Sequence, residues 1–342
     1  MMQYNQNFLS VNPQSLRVTE SDFADKKPVL FTLVGLPGSG KSTFAERLSK
    51  HIKDTGGCVE IISSDSIRKE LYGSEDNQEH NNEVFAVVHS RIKQFLLEGV
   101  SVIFDATNIS KKRRIAFLRD IKPIPCHCVC HAIMTPYATC LERNNNRERK
   151  VPEYALRRMY MNWEPPHCNE GFDYVHFDMT CSGIEDRSEY TLMNLIGKMD
   201  GFILLDQEND HHRHTLGVHC FMAMMNILYR DRLNTRLQVA ALLHDIGKEF
   251  TKSRLNHKGV YDGNYHYYQH HCVSAYDSLF YLDGIAFSNE DKAHISNVIF
   301  YHMHPHRNWK QSTNAMRRDR IAIGEDLFND VIALHDADVA AQ

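Results

Sequence analysis

The chain has 342 residues, 42% hydrophobic and 24% charged, which is ordinary globular composition and enough for two domains with separate cores. This excludes a disordered or fibrous protein, and the longest apolar run, VLFTLVGL from Val29, falls far short of the roughly 18 residues that a spanning helix needs. With 39 basic against 43 acidic residues the net charge is −4, so no global positive field draws nucleic acid, and any such contact must be local.

The start, MMQYNQNFLSVNP, lacks the basic-then-apolar order of a secretory signal. Nine cysteines without paired spacing fit reduced thiols, so a soluble cytoplasmic protein with no membrane association is expected. Cys126, Cys128 and Cys130 alternate, which suits one packed strand face better than a metal site.

Residues 1–27 are polar and aperiodic and read as a loose tail. From Val29 the chain alternates strand and helix. An apolar strand ends in a glycine-rich loop, and Phe44, Leu48 and Ile52 then mark a helix that stops at Gly56 and Gly57. VEIISS reads as a second strand, and Val84, Val88, Ile92 and Phe95 line a helix ending at Gly99. VSVIFDA, Cys126 to Met134 and YVHFDM read as further strands, separated by KKRRIAFLRDI and by the helical, arginine-rich residues 136–162. Such alternation predicts an α/β domain over 28–180 with a parallel sheet covered by helices on both faces. Residues 181–200 read as a linker region, and 201–342 as an all-α domain, because helical periods replace strand signals there.

GLPGSGKS spaces Gly35, Gly40, Lys41 and Ser42 as a phosphate-binding loop between a strand and a helix. Its backbone N–H groups, with Gly38, Ser39 and Thr43 completing the turn, suit the phosphates of ATP; Lys41 suits the β- and γ-oxygens and Ser42 a Mg²⁺ ion. Asp65, at the carboxyl end of the second strand, suits a general base toward an attacking hydroxyl, with Arg68 on the same helical face to hold it or an acceptor phosphate. Asp105, Thr107 and Asn108 reach the same edge. Arg143 and Arg147, spaced for one helical face, suit a lid over the transferred phosphoryl group, with Arg149, Lys150, Arg157 and Arg158 nearby; a solvated basic helix would read the same way.

These residues resemble the P-loop kinases typified by phage and bacterial 5′-hydroxyl polynucleotide kinases. The resemblance implies that Asp65 is the base toward a 5′-OH and that Arg143 and Arg147 clamp ATP. Ala106 stands where several members carry an aspartate before the Thr-Asn pair. The same pattern occurs in small-molecule kinases, so the acceptor stays open.

Fourteen of the 21 histidines follow residue 200. His219, the His244-Asp245 doublet and Asp338 fall on separate helical segments that a bundle could bring together around a metal. This order resembles the HD-domain metal-dependent phosphohydrolases, and His257, His270 and His302 resemble the extra histidines of two-metal versions. The resemblance implies His219, His244, Asp245 and Asp338 as ligands, joined by His270 and His302; His211, His214, His304 and His306 read as solvated. A mixed imidazole and carboxylate set suits Mn²⁺, Ni²⁺, Co²⁺, Fe²⁺ or Zn²⁺, and Lys248 could neutralise phosphoryl oxygens.

Together the two motif sets resemble a bifunctional end-healing enzyme. It would phosphorylate 5′-OH ends of nucleic acid, RNA favoured and DNA possible, and remove a 2′,3′-cyclic, 2′- or 3′-phosphate. No ligase motif is apparent, so a separate ligase partner is expected. A small-molecule kinase fused to a nucleotide phosphohydrolase is the alternative.

Overall fold

The structure is a computed structural model that describes residues 27–75, 79–180, 195–197, 199, 205, 214–283 and 285–342. The expected tail, apart from Lys27, lies outside these residues, as does most of the expected linker. The described chain divides into two compact units, one of residues 1–156 and 170–183, the other of 157–169 and 184–342.

In the first unit, β1 (Val29–Val34), β2 (Val59–Ser63), β3 (Ser101–Asp105), β4 (His127–Met134) and β5 (Tyr174–Met179) form one sheet in the order β2-β3-β1-β4-β5. Every pairing is parallel. Because side chains alternate along β1, Val29, Phe31 and Leu33 pack with Phe44, Leu48 and Ile52 of α1 (Lys41–Asp54) on one face. Leu30 points to the other face. There it meets Ile67 of α2 (Ser64–Tyr72), Val84, Val88 and Ile92 of α3 (Asn81–Leu97), and Phe117 and Ile121 of α4 (Lys111–Ile121). The parallel sheet covered on both faces is therefore the observed architecture. Cys126 and Cys128 pack against this second cluster, as a strand face should.

The KKRR run that opens α4 is only half exposed. Arg114 is buried in a bidentate pair with Glu170, at 2.7 and 2.8 Å, and donates to the Asn108 carbonyl at 2.9 Å. Lys111 is also buried, which leaves Lys112 and Arg113 as the solvent-facing cations of the run.

Helices α5 (Tyr137–Asn146) and α6 (Glu153–Met161) follow β4. The expected domain boundary at 180 places residues 157–169 with the sheet, whereas they pack within the second unit. Trp163, fully buried, meets Tyr276 edge to face, and the Tyr160 hydroxyl donates to Asp277 at 2.7 Å.

The second unit is built on α7 (Leu216–Arg230), α8 (Thr235–Leu243), the short α9 (Lys248–Thr251), α10 (His270–Tyr281), α11 (Asn289–Tyr301), α12 (Thr313–Ile323) and α13 (Glu325–Ala340). The expectation of an all-α domain needs one correction. β6 (Ser253–Leu255) and β7 (Tyr261–His266) form an antiparallel hairpin between α9 and α10. A three-residue strand is too short to show a period of two, which is why its sequence carried no strand signal. Among the described residues no helix is long and apolar enough to cross a membrane.

Candidate functional site

The phosphate loop follows β1 and opens α1 as its mechanism requires. Gly38 has φ +82°, and a Cβ there would stand 2.5 Å from the Cys140 carbonyl oxygen, so only glycine fits the turn. Gly35 N–H donates to the Thr107 carbonyl at 3.0 Å and Asn108 Nδ2 donates to the Leu33 carbonyl at 2.9 Å, which fastens the loop after β3 to the loop after β1. Ser39 is fully buried, with its carbonyl accepting from Thr135 Oγ1 at 2.9 Å. Gly40 caps α1, and a Cβ on it would lie 3.9 Å from Arg143 Nη1, so the Arg143 guanidinium stands over the loop.

Lys41 is buried, with Nζ donating to the Leu36 carbonyl at 2.8 Å. Burial pushes its ammonium below the ordinary range, and the Asp105 carboxylate opposes that shift. Ser42 Oγ donates to Asp105 Oδ2 at 2.7 Å, a hydroxyl and carboxylate suited to hold Mg²⁺ beside bound phosphates, while Thr43 is exposed.

Asp65 lies in the first turn of α2, half exposed, and each of its oxygens meets a guanidinium: Arg68 at 2.5 Å and Arg149 at 2.8 Å. Arg68 is buried and also donates to Asn81 Oδ1 at 2.9 Å, which fixes its position. Arg149 further donates to the Glu75 carbonyl at 2.8 Å. The expected lid pair differs in detail. α5 stops at Asn146 and Arg147 leaves in extended backbone, so Arg143 and Arg147 do not share one helical face. Asn144 causes this, because its side chain closes the following loop by accepting from Val151 N–H and Arg147 Nη2 and donating to the Val151 carbonyl. Arg147 is desolvated and is close enough to Arg149, Asp65 and Glu75 to feel their charges. Arg149, expected only as a neighbour of the lid pair, is the arginine that touches Asp65. Arg157 belongs elsewhere: its guanidinium lies 4.2 Å from the Phe250 ring centre within the second unit.

In the second unit the expected ligands come together from separate elements. His219 projects from α7, His244 ends α8, Asp245 follows it, His270 opens α10, His302 ends α11, and Asp338 sits in the last turns of α13. All six are buried. Among the described residues, two groups have ligand atoms within 4.8 Å of one another: His219, His244 and Asp338, and Asp245, His270 and His302. Asp245 also spans the two groups. Its Oδ2 lies 3.5 Å from His219 Nε2 and 3.4 Å from His244 Nε2, and its Oδ1 lies 3.2 Å from His270 Nε2 and 3.7 Å from His302 Nε2.

The tautomers decide what such a cluster can hold. Nδ1 of His244, His270 and His302 lies 2.7, 2.7 and 2.6 Å from the carbonyls of Ala241, Tyr267 and Ile299. His219 Nδ1 lies 3.3 Å from the Ala341 carbonyl. A carbonyl only accepts, so Nδ1 carries a proton, and a ring that is neutral turns the lone pair of Nε2 inward. His270 Nε2 and His302 Nε2 face each other at 3.2 Å, and with both rings neutral two lone pairs meet, an arrangement that a cation between them relieves. The donor set therefore fits divalent transition ions. The carboxylates add to this. Burial works against charging His244, yet Asp245 holds its imidazole well above the ordinary range, and a field that draws a proton draws a metal cation equally.

Lys248 is buried with Nζ 2.7 Å from Asp245 Oδ2. Gly247 permits this packing: a Cβ on it would meet the His270 carbonyl oxygen at 2.5 Å and Ser274 N at 2.7 Å. Gly247→Ala should lower the unfolding free energy of the helical unit by about 1–3 kcal/mol through overpacking, measured by chemical denaturation of the whole chain. An unchanged midpoint would show that the contact yields freely.

Three histidines depart from expectation. His257 sits in the hairpin turn, outside both groups. His306, expected to be solvated, approaches Asp338 Oδ2 at 3.4 Å and is backed by His335 Nδ1 at 3.1 Å. His304 instead faces Asp319 at 3.4 Å.

A family model described as an AAA domain matches residues 30–166. The chain is similar to the L-seryl-tRNA(Sec) kinase of Methanococcus maripaludis, 26% identical over 237 residues that cover 66% of this chain and 89% of that protein. It is also similar to the adenylyl-sulfate kinase of Shewanella halifaxensis, 28% identical over 139 residues, covering 40% of this chain and 63% of that one. A solved Pnkp1/Rnl/Hen1 complex aligns at 24% identity and a TM-score of 0.29, covering 37% of this chain and 41% of the matched chain. The sheet order, the phosphate loop and the matched model agree on a parallel-sheet P-loop kinase fold in the N-terminal part of the chain, with a helical region in the C-terminal part.

Proposed function

We propose that this protein heals broken nucleic-acid ends in the cytoplasm, as an ATP-dependent kinase of 5′-OH ends and a metal-dependent phosphohydrolase of the HD type acting on 2′,3′-cyclic, 2′- or 3′-phosphates. The observation that carries the two-activity reading is the set of four inward-turned imidazoles around Asp245 and Asp338 on the same chain as the phosphate loop. A kinase alone has no use for it.

In the kinase half, the loop N–H groups and Lys41 would bind the ATP phosphates, Ser42 and Asp105 would hold Mg²⁺, and Arg143 and Arg147 would close over the γ-phosphoryl group. Asp65 would accept the proton of the attacking hydroxyl, with Arg149 turning from Oδ2 toward phosphate as the acceptor arrives. In the hydrolase half, His219, His244 and Asp338 would hold one divalent ion and Asp245, His270 and His302 a second. Such ions supply an activated water to the phosphate ester. Lys248 would neutralise the phosphoryl oxygens, and sealing would fall to a separate ligase.

The second reading, a small-molecule kinase fused to a nucleotide phosphohydrolase, is favoured by the similarity to an adenylyl-sulfate kinase. The similarity to a kinase of seryl-tRNA favours an acceptor hydroxyl borne on RNA. Transfer of labelled γ-phosphate from ATP to 5′-OH RNA, DNA and free nucleosides in parallel, with phosphate release from 3′-phosphorylated RNA, tests the proposal. Apparent affinity for a 5′-OH oligonucleotide should weaken as salt rises, because phosphate contacts release counterions, while that for a nucleoside should barely change. Equal efficiency on both acceptors without salt dependence would promote the second reading.

A further inference from the structure

The β6–β7 hairpin is an insertion between two parts of the metal-binding constellation, leaving the chain after Asp245 and Lys248 and returning it at His270. Its composition differs from the rest of the chain. Residues 252–268 hold four of the 15 tyrosines, and three Lys or Arg against one Asp, in a protein whose net charge is −4. The side chains are not folded into a core. Tyr261 is 63% exposed, Val260 56% and Leu255 50%, and Lys258 is exposed in the turn.

β7 is bent rather than regular: Gly263 has φ +90° and the Asp262 carboxylate reaches His266 Nε2 at 2.9 Å, with Tyr261 before the bend and Tyr265 after it. Lys252 Nζ and the Arg254 guanidinium lie 4.3 and 5.3 Å from the Tyr265 ring centre, placing positive charge beside the aromatic strip. Tyr268 stacks on His266 with ring centres 5.3 Å apart and planes within 6°. The strip also leads inward: Lys248 Nζ lies 5.7 Å from the Tyr267 ring centre and 2.7 Å from Asp245.

Tyr261 is the exposed ring of the hairpin, with Lys258 exposed in the turn and Arg254 on the neighbouring strand, while Tyr265, Tyr267 and Tyr268 are half-buried. An exposed ring among cations suits an unpaired polynucleotide, since a base stacks on the ring while phosphates meet the cations. An acidic peptide would satisfy the cations and leave the tyrosine faces wet. A duplex would hide its bases from them. We infer that the β6–β7 hairpin is a docking platform for single-stranded RNA, delivering its 3′ end to the cluster around Asp245 and His270. The inference rests on the hydrolase reading above and gives that site its substrate class: a 3′-terminal phosphate on an RNA strand rather than on a mononucleotide.

The test uses the full chain with Tyr261→Ala and Lys258→Ala combined, two exposed positions whose truncation leaves the fold intact. Phosphate release is measured from a 3′-phosphorylated RNA oligonucleotide, its DNA counterpart and a nucleoside 3′-monophosphate. The variant should raise KM for the RNA oligonucleotide about tenfold or more, with kcat and the mononucleotide constants unchanged. Parallel changes on oligonucleotide and mononucleotide, or none, would overturn the platform, and an equal effect on DNA would overturn the RNA assignment. If the wild type releases phosphate from no substrate, the hydrolase reading fails on its own. The hairpin is then read by photocrosslinking of 4-thiouridine RNA, where adducts on residues 252–268 support it and adducts confined to the first unit overturn it.

Discussion

Replacing His244 or Asp245 by alanine should abolish metal-dependent phosphate release, by about 10³-fold or more, and leave γ-phosphoryl transfer at the wild-type rate. His244 is one of three donors in its group, whereas Asp245 presents an oxygen to each group, so the two variants should differ in metal content. Elemental analysis should find two divalent transition ions per wild-type chain. His244→Ala and His270→Ala should each retain one, and Asp245→Ala fewer than either, because its loss removes a shared carboxylate and leaves Lys248 facing inward without its 2.7 Å partner. Retained kinase activity serves as the control for an intact first unit. A wild type that binds no transition metal, or an Asp245→Ala protein that still hydrolyses, would remove the two-ion assignment.

The parts of this molecule that were legible in sequence are those whose signal is local. GLPGSGKS carries its own geometry, since strand, tight turn and helix N-terminus occupy adjacent residues, and Asp65 needs only the end of the next strand to reach the same sheet edge. His219, His244, Asp245 and Asp338 carry no local signal of this kind, since the contacts that group them are long-range, and only a resemblance brought them together in sequence. Elsewhere sequence and structure part for physical reasons. RNNNRERK continues the helical composition and so puts Arg147 on a helical face, yet the Asn144 side chain bonds the loop and the helix ends one residue before Arg147. KKRR carries four like cations in sequence, but Arg114 finds Glu170, 56 residues away, and no window of sequence reveals that partner. His306 and His257 have similar polar neighbours, and only the turn of chain after α11 decides that the first approaches Asp338. The segment 157–169 continues an arginine-rich helix in sequence, while burial of Trp163 against Tyr276 assigns it to the helical unit.

In the kinase half, Asp65→Asn should lower kcat by about 10²–10⁴-fold, the range for loss of a positioned proton acceptor, with the KM for ATP little changed. The isosteric amide can still accept hydrogen bonds from Arg68 and Arg149 at the positions now 2.5 and 2.8 Å away, so the change tests the base rather than the architecture. Lys41→Ala should behave differently. It removes the cation beside the phosphates and leaves the Leu36 carbonyl without its 2.8 Å donor, so both the KM for ATP and kcat should suffer. Arg149→Ala separates the remaining possibilities. If this arginine merely holds Asp65 in place, Arg149→Lys should restore most activity, because Arg68 still fixes the other oxygen. If it moves to the transferred phosphoryl group, a point charge should replace its planar fork poorly and kcat should stay low in both variants. Phosphate release from the helical unit should be indifferent to all of these changes. An Asp65→Asn protein that phosphorylates 5′-OH ends at the wild-type rate would end the general-base assignment, and leave Asp65 as the residue that orients Arg68 and Arg149 around an acceptor phosphate.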